Sequence, residues 1–177
     1  MNRLFVAIRP PEPIRARLLG LMGGVSGARW QSDAQLHLTL RFIGEVDRHA
    51  AQDIDAALAA IHQPRFEIAL SGAGAFERRG VPAALWAGVT PHEALKALHK
   101  KIDQATVRAG LEPERRAYVP HITLARLKPG AGTIRDFLAG AGGVSSASFE
   151  VRQFALYESR LTPEGAVYTP LETYPLA

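Results

Sequence analysis

Two tetrapeptides of one pattern carry most of the chemistry in this 177-residue chain: His37-Leu38-Thr39-Leu40 and His121-Ile122-Thr123-Leu124. Each lies in an apolar, β-branched-rich run that reads as a strand, and a strand alternates its faces with period two. His37 and Thr39 then face one way, and Leu38 and Leu40 the other. His121 and Thr123 stand in the same relation to Ile122 and Leu124. The aliphatic members can anchor each strand in a core while the His and Thr face a groove. Two imidazoles can take and give a proton at a phosphate, and two hydroxyls can donate to its oxygens. One His-x-Thr carries little information, because most histidines are structural. Two copies with the same fourth residue, in matching places of two half-repeats, carry far more.

The rival use of paired histidines is a metal site. Zinc wants three or four ligands, and no carboxylate stands at ligand spacing beside either motif. His49, His62, His92 and His99 fall on expected helices without any recurring context and read as structural, with His62 and His99 solvated. Five residues past each motif histidine stand Phe42 and Arg126. In a flat strand that odd offset points both away from the histidine, so Phe42 reads as core and Arg126 as a solvated strand end. Either reaches the groove only if the strand ends, twists or bulges after the motif. Strict alternation instead puts Arg41 on the His37 face, as a competing phosphate ligand.

The elements around the motifs follow from periodicity and punctuation. Residues 3–8 read as a strand and Pro11 to Met22 as a helix, followed by the first motif strand over 35–43, which Gly44 breaks. Asp47 is placed to N-cap a helix that runs to His62. Phe66 to Leu70 and Ala84 to Val89 read as strands, joined by a Gly-rich, Arg-containing loop over 71–82. Thr90 as N-cap, Pro91 at the first helical position and Glu93 as the capping-box partner open a helix that continues to Gly110. The second motif strand spans 119–127, a short helix 133–139, and strands Phe149 to Glu158 and Ala166 to Leu171 close the chain. The order repeats weakly, with one histidine motif per half. The expectation is a single domain over 1–177 of class α+β: two lobes, each an antiparallel sheet flanked by helices, related by a pseudo-twofold axis across a central cleft.

Composition narrows the function classes. Lys and Arg number 21 against 17 Asp and Glu, a net charge of +4 that favours an anionic partner without identifying one. The absence of cysteine excludes disulfides, thiol nucleophiles and thiolate metal sites, and is compatible with a cytoplasmic protein. No apolar run approaches the roughly 20 residues that span a bilayer, and the first segment is too short for a signal peptide.

These residues resemble the 2H phosphoesterase superfamily, and within it the bacterial and archaeal RNA 2′,3′-cyclic phosphodiesterases, historically called 2′-5′ RNA ligases. The likeness extends from Arg3-Leu4-Phe5-Val6-Ala7-Ile8 through His37 to Glu45, Leu85-Trp86-Ala87-Gly88-Val89 and Pro120 to Arg126, and ends with Leu156-Tyr157-Glu158-Ser159 and Tyr174-Pro175-Leu176. It implies hydrolysis of a terminal RNA 2′,3′-cyclic phosphate to a 2′-phosphate without a metal. The further expectations are no cofactor, tRNA fragments as one candidate substrate, no membrane and a monomer. It implies His37 as proton donor to the leaving 3′-oxygen and His121 as proton acceptor from water. Thr39, Thr123 and Arg126 would bind phosphate and Phe42 would stack on a base. The alternatives are 2′-5′ RNA ligation, hydrolysis of a small cyclic nucleotide, or a non-catalytic RNA-binding module.

Overall fold

The computed structural model describes all 177 residues. The order is β1 (Asn2–Ile8), α1 (Glu12–Leu19), β2 (Ala28–Trp30), β3 (Leu38–Val46), α2 (Arg48–Ala59), β4 (Phe66–Arg78), β5 (Val81–Thr90) and α3 (Glu93–Arg108). It continues with β6 (His121–Leu127), α4 (Arg135–Ala141), β7 (Phe149–Val151), β8 (Gln153–Thr162) and β9 (Gly165–Pro175). The strands lie in the order β7-β4-β5-β6-β3-β1-β8-β9, with β2 paired to β6 beside β3. Every pairing is antiparallel. The two expected sheets are the two four-strand halves of this path, β7-β4-β5-β6 and β3-β1-β8-β9. They join at one register pair, Leu38 with Ile122, where the two motif strands meet.

One face of this sheet is packed and the other is open. All four helices bury their apolar residues, such as Ile14, Leu58, Ile102 and Phe137, in one cluster of 31 residues. Leu38, Leu40, Ile122 and Leu124 belong to it, so the aliphatic members of both motifs anchor the core as alternation required. A smaller cluster of Phe5, Ala7, Ala155 and Tyr157 lies on the opposite face of β1 and β8. That face carries no helix, and it is the floor of the cleft.

Several local expectations are corrected. The segment 71–82 is a long hairpin and not a loop. β4 pairs with β5 from Ala69–Thr90 out to Arg78–Val81, and Arg79 and Gly80, with φ of 54° and 77°, form a two-residue primed turn. Gly74, within β4, is there for close approach. A Cβ there would overlap the Trp86 indole, which lies flat across the strand. Gly44 does not end β3. It sits at φ 88° beside an irregularity opposite Leu4 and Phe5, and the strand continues to Val46. Asp47 caps α2 as expected, accepting from the Ala50 amide at 2.8 Å. Thr90 does not cap α3, because the β4–β5 ladder claims it. The N-cap position falls to His92, with no side-chain cap. The expected strand Phe149 to Glu158 is two. β7 pairs with β4 and β8 with β1, so the chain crosses between the half-sheets at Arg152.

Candidate active site

The seam pairing fixes the geometry of the four motif residues. With Leu38 opposite Ile122, His37 stands across from Thr123 and Thr39 across from His121, all on the open face. The two histidines lie on a diagonal of this quartet, a separation of roughly 7–8 Å between cross-strand neighbours two positions apart. A phosphate fits between imidazoles at that spacing.

Both imidazoles are fixed by the same device. His37 Nδ1 donates to the Gln35 carbonyl at 3.1 Å, and His121 Nδ1 to the Val119 carbonyl at 2.6 Å. In each case the acceptor lies two residues upstream, and a carbonyl can only accept. The neutral ring is therefore held with Nε2 bare. His37 Nε2 has no partner in the protein although it is shielded from solvent. The rings sit in aromatic settings. His37 is edge-on to Phe5 at 6.0 Å, Tyr157 at 4.5 Å and Tyr168 at 5.5 Å. His121 is edge-on to Phe76 at 4.7 Å and lies 6.4 Å from Trp86. Burial in these settings disfavours the charged imidazolium. It pulls His37 down to about 4, against the opposing pull of the Gln35 carbonyl and with help from Arg9 and Arg15. Burial also lowers His121, partly offset by Val119 and reinforced by Arg126.

A bulge in each motif strand decides which side chains join the histidines. Along β3, Thr39 pairs with Ala7 and Arg41 with Val6, so Leu40 is the extra residue. Along β6, Thr123 pairs with Trp86 and Ala125 with Leu85, so Leu124 is the extra residue. The inserted residue shifts the alternation by one. Phe42, opposite Phe5, therefore returns to the histidine face, 62% exposed and with its ring 6.2 Å from that of Phe5. Arg126, opposite Ala84, does the same and is exposed. Phe42 is thus not core, and Arg126 reaches the cleft while β6 is still paired to Leu127.

Arg41 goes the other way. It is buried on the helix side, with Nη1 2.8 Å from Glu114, Nε 3.2 Å from Asp103 and Nη2 2.6 Å from the Glu112 carbonyl. It is not available as a phosphate ligand. His99, expected to be solvated, is half-buried. It donates to the Leu40 carbonyl at 2.7 Å and stacks on Tyr118 at 4.2 Å. Tyr118 in turn donates to the Thr39 carbonyl at 3.0 Å. His49, His62 and His92 are exposed and away from the cleft. No three His, Cys, Asp or Glu side chains are grouped where they could hold a metal ion.

Residue types alone did not mark Phe5, Phe76, Tyr157 and Tyr168 as walls of the cleft. Their only signal was an aromatic at an open-face position of a strand, which looks like any half-buried strand aromatic until the pairing is known.

Comparison with known proteins shows the family and the fold. The family model described as the 2′-5′ RNA ligase superfamily matches residues 10–162. An RNA 2′,3′-cyclic phosphodiesterase of Archaeoglobus fulgidus is 31% identical over 97% of this chain and 99% of its own length. One of Aeropyrum pernix is 37% identical over 78% of this chain and 81% of its own. Among solved structures, Escherichia coli LigT complexed with 3′-AMP superposes with a TM-score of 0.82 at 29% identity, covering 99% of this chain and 98% of LigT.

Proposed function

The chain belongs to the 2′-5′ RNA ligase superfamily, and from that premise we propose that it hydrolyses RNA 2′,3′-cyclic phosphate ends, those of tRNA fragments among them, to 2′-phosphomonoesters. It acts as a monomeric 2H phosphoesterase domain of two lobes, without a metal. The observation that carries this reading is the quartet on the open face: two His-x-Thr strands meeting at Leu38 and Ile122, each histidine with Nδ1 tied to a carbonyl and Nε2 free. Relatives that match along nearly the whole chain are RNA 2′,3′-cyclic phosphodiesterases.

Water attacks phosphorus as its proton passes to His121 Nε2. The P–O3′ bond breaks in line, and the leaving O3′ takes the proton from His37 Nε2. Thr39, Thr123 and Arg126 hold the non-bridging oxygens, whose charge they stabilise as it builds. Phe42 offers a face to the terminal base. The acid role needs a proton on His37, whose pKa burial pulls down to about 4. Lifting it to neutrality takes about 4 kcal/mol. A phosphate anion about 4 Å away supplies an interaction of about that size at an effective dielectric near 20. The substrate therefore charges its own acid.

The test is product analysis on an oligoribonucleotide ending in a 2′,3′-cyclic phosphate, with EDTA present. A 2′-phosphate product is expected. A 3′-phosphate, a ligated strand, or activity that vanishes with chelation would overturn the reading.

A further inference from the structure

Arg29, which no motif singles out, stands directly opposite Arg126 in the pairing of β2 with β6. Its neighbours Ala28 and Trp30 pack against the core, and so do their partners Leu127 and Ala125. Arg29 therefore points to the open face, beside Arg126, with the two strands' side chains anchored about 5 Å apart. The end of its guanidinium lies against Gly165 at the β8–β9 turn, where a Cβ would sit 3.4 Å from Nη2 and 3.3 Å from Gln35 Nε2. Gln35 is the residue whose carbonyl holds His37. Arg29 thus occupies the corner of the cleft between the two histidine motifs.

Like charges directly opposite each other on neighbouring strands are destabilising. Five arginines take part in ion pairs: Arg9 and Arg15 share Asp33, Arg41 has Asp103 and Glu114, and Arg65 and Arg152 meet Glu150. Arg29 and Arg126 take part in no ion pair. Two arginines without an acidic partner, rooted at directly opposed positions of neighbouring strands, suit an anion with more than one charge centre. Each presents a flat fork of donors on a flexible stem, so the pair can grip two neighbouring phosphates of one strand.

We propose that Arg29 binds the backbone phosphate on the 5′ side of the terminal nucleotide while Arg126 holds the reacting cyclic phosphate, so that the site selects RNA chains over mononucleotides. This rests on the function proposed above. Arg29 is a specificity residue, and its contribution is read on substrate size.

The experiment compares kcat/KM on a mononucleoside 2′,3′-cyclic phosphate with that on a dinucleotide ending in the same group, for the wild type, Arg29→Ala and Arg29→Lys. The dinucleotide preference is expected to fall about tenfold in Arg29→Ala and to be partly restored in Arg29→Lys. The salt slope of log KM should drop by about 0.7 on the dinucleotide only, the change that follows when one phosphate of a single strand is no longer neutralised. The unfolding midpoint of Arg29→Ala should hold or rise, since a repulsion is removed. Equal losses on both substrates would place Arg29 on the reacting phosphate and overturn the proposal, as would an unchanged preference. If the wild type turns over neither substrate, the functional reading itself fails.

Discussion

At the scale of single residues, each side chain has a distinct expected signature. His37→Ala and His121→Ala should each lower turnover by about 10²–10⁴ with the fold intact by circular dichroism. The double variant should fall well short of the product of the two losses, because acid and base act as a unit. The lowered imidazole values set the pH dependence. In kcat/KM, which reports the free protein, the optimum should lie below pH 6.5, because His37 loses its proton above about 4 and His121 is also below its ordinary range. In kcat, the bound phosphate raises both groups, so the optimum should shift upward. Coincident profiles would contradict charging of His37 by substrate. Arg126→Ala should cost at least about tenfold in kcat/KM, roughly 1.4 kcal/mol. Thr39→Val and Thr123→Val should each cost roughly 1.5–3 kcal/mol of interaction with the charged oxygen. A gain in stability with unchanged kinetics would make them ordinary strand formers.

At the scale of elements, the two bulges are the devices that matter, and the first is clamped from the helix side. Arg41 ties β3 to α3 and the segment after it, while His99 and Tyr118 hold the Leu40 and Thr39 carbonyls. The Leu124 carbonyl of the second bulge accepts from the Gln31 amide at 2.8 Å. Arg41→Ala would leave Asp103 and Glu114 facing each other without their cation. The expected cost is about 3 kcal/mol of stability, read by urea unfolding. Activity per folded molecule should fall less than in Arg126→Ala. A larger kinetic loss from Arg41 than from Arg126, with stability unchanged, would contradict the buried placement.

At the scale of the whole molecule, the half-sheets share one 31-residue core although only one residue pair joins them across the seam. The Val151–Gln153 crossing ties them again. Such a core predicts one cooperative unfolding transition, with far-UV dichroism and tryptophan fluorescence coinciding. Trp86 reports on one lobe and Trp30 lies beside the seam. Two separated transitions would mean that the lobes fold independently.

The sequence by itself determined the two motif strands and the faces of their side chains. His-x-Thr twice, with aliphatic residues at the alternate positions, can satisfy a core and a groove only as two strands with matching faces. That follows from a period-two backbone and needs no knowledge of the partners. Asp47 as a cap and the β1 pattern are equally local. Tertiary structure decided what depends on pairing. Whether Phe42 or Arg41, and whether Arg126, shares the histidine face turns on one extra residue per strand. A bulge is defined by its partner strand, not by its own sequence. The reading of 71–82 as a loop failed for a similar reason. Gly74, which looks like a turn residue along the chain, is in the hairpin the position where Trp86 lies against the backbone. The neighbouring of Arg29 and Arg126 is also invisible in one dimension, because a three-residue strand far from the second motif acquires its meaning only when it pairs with β6.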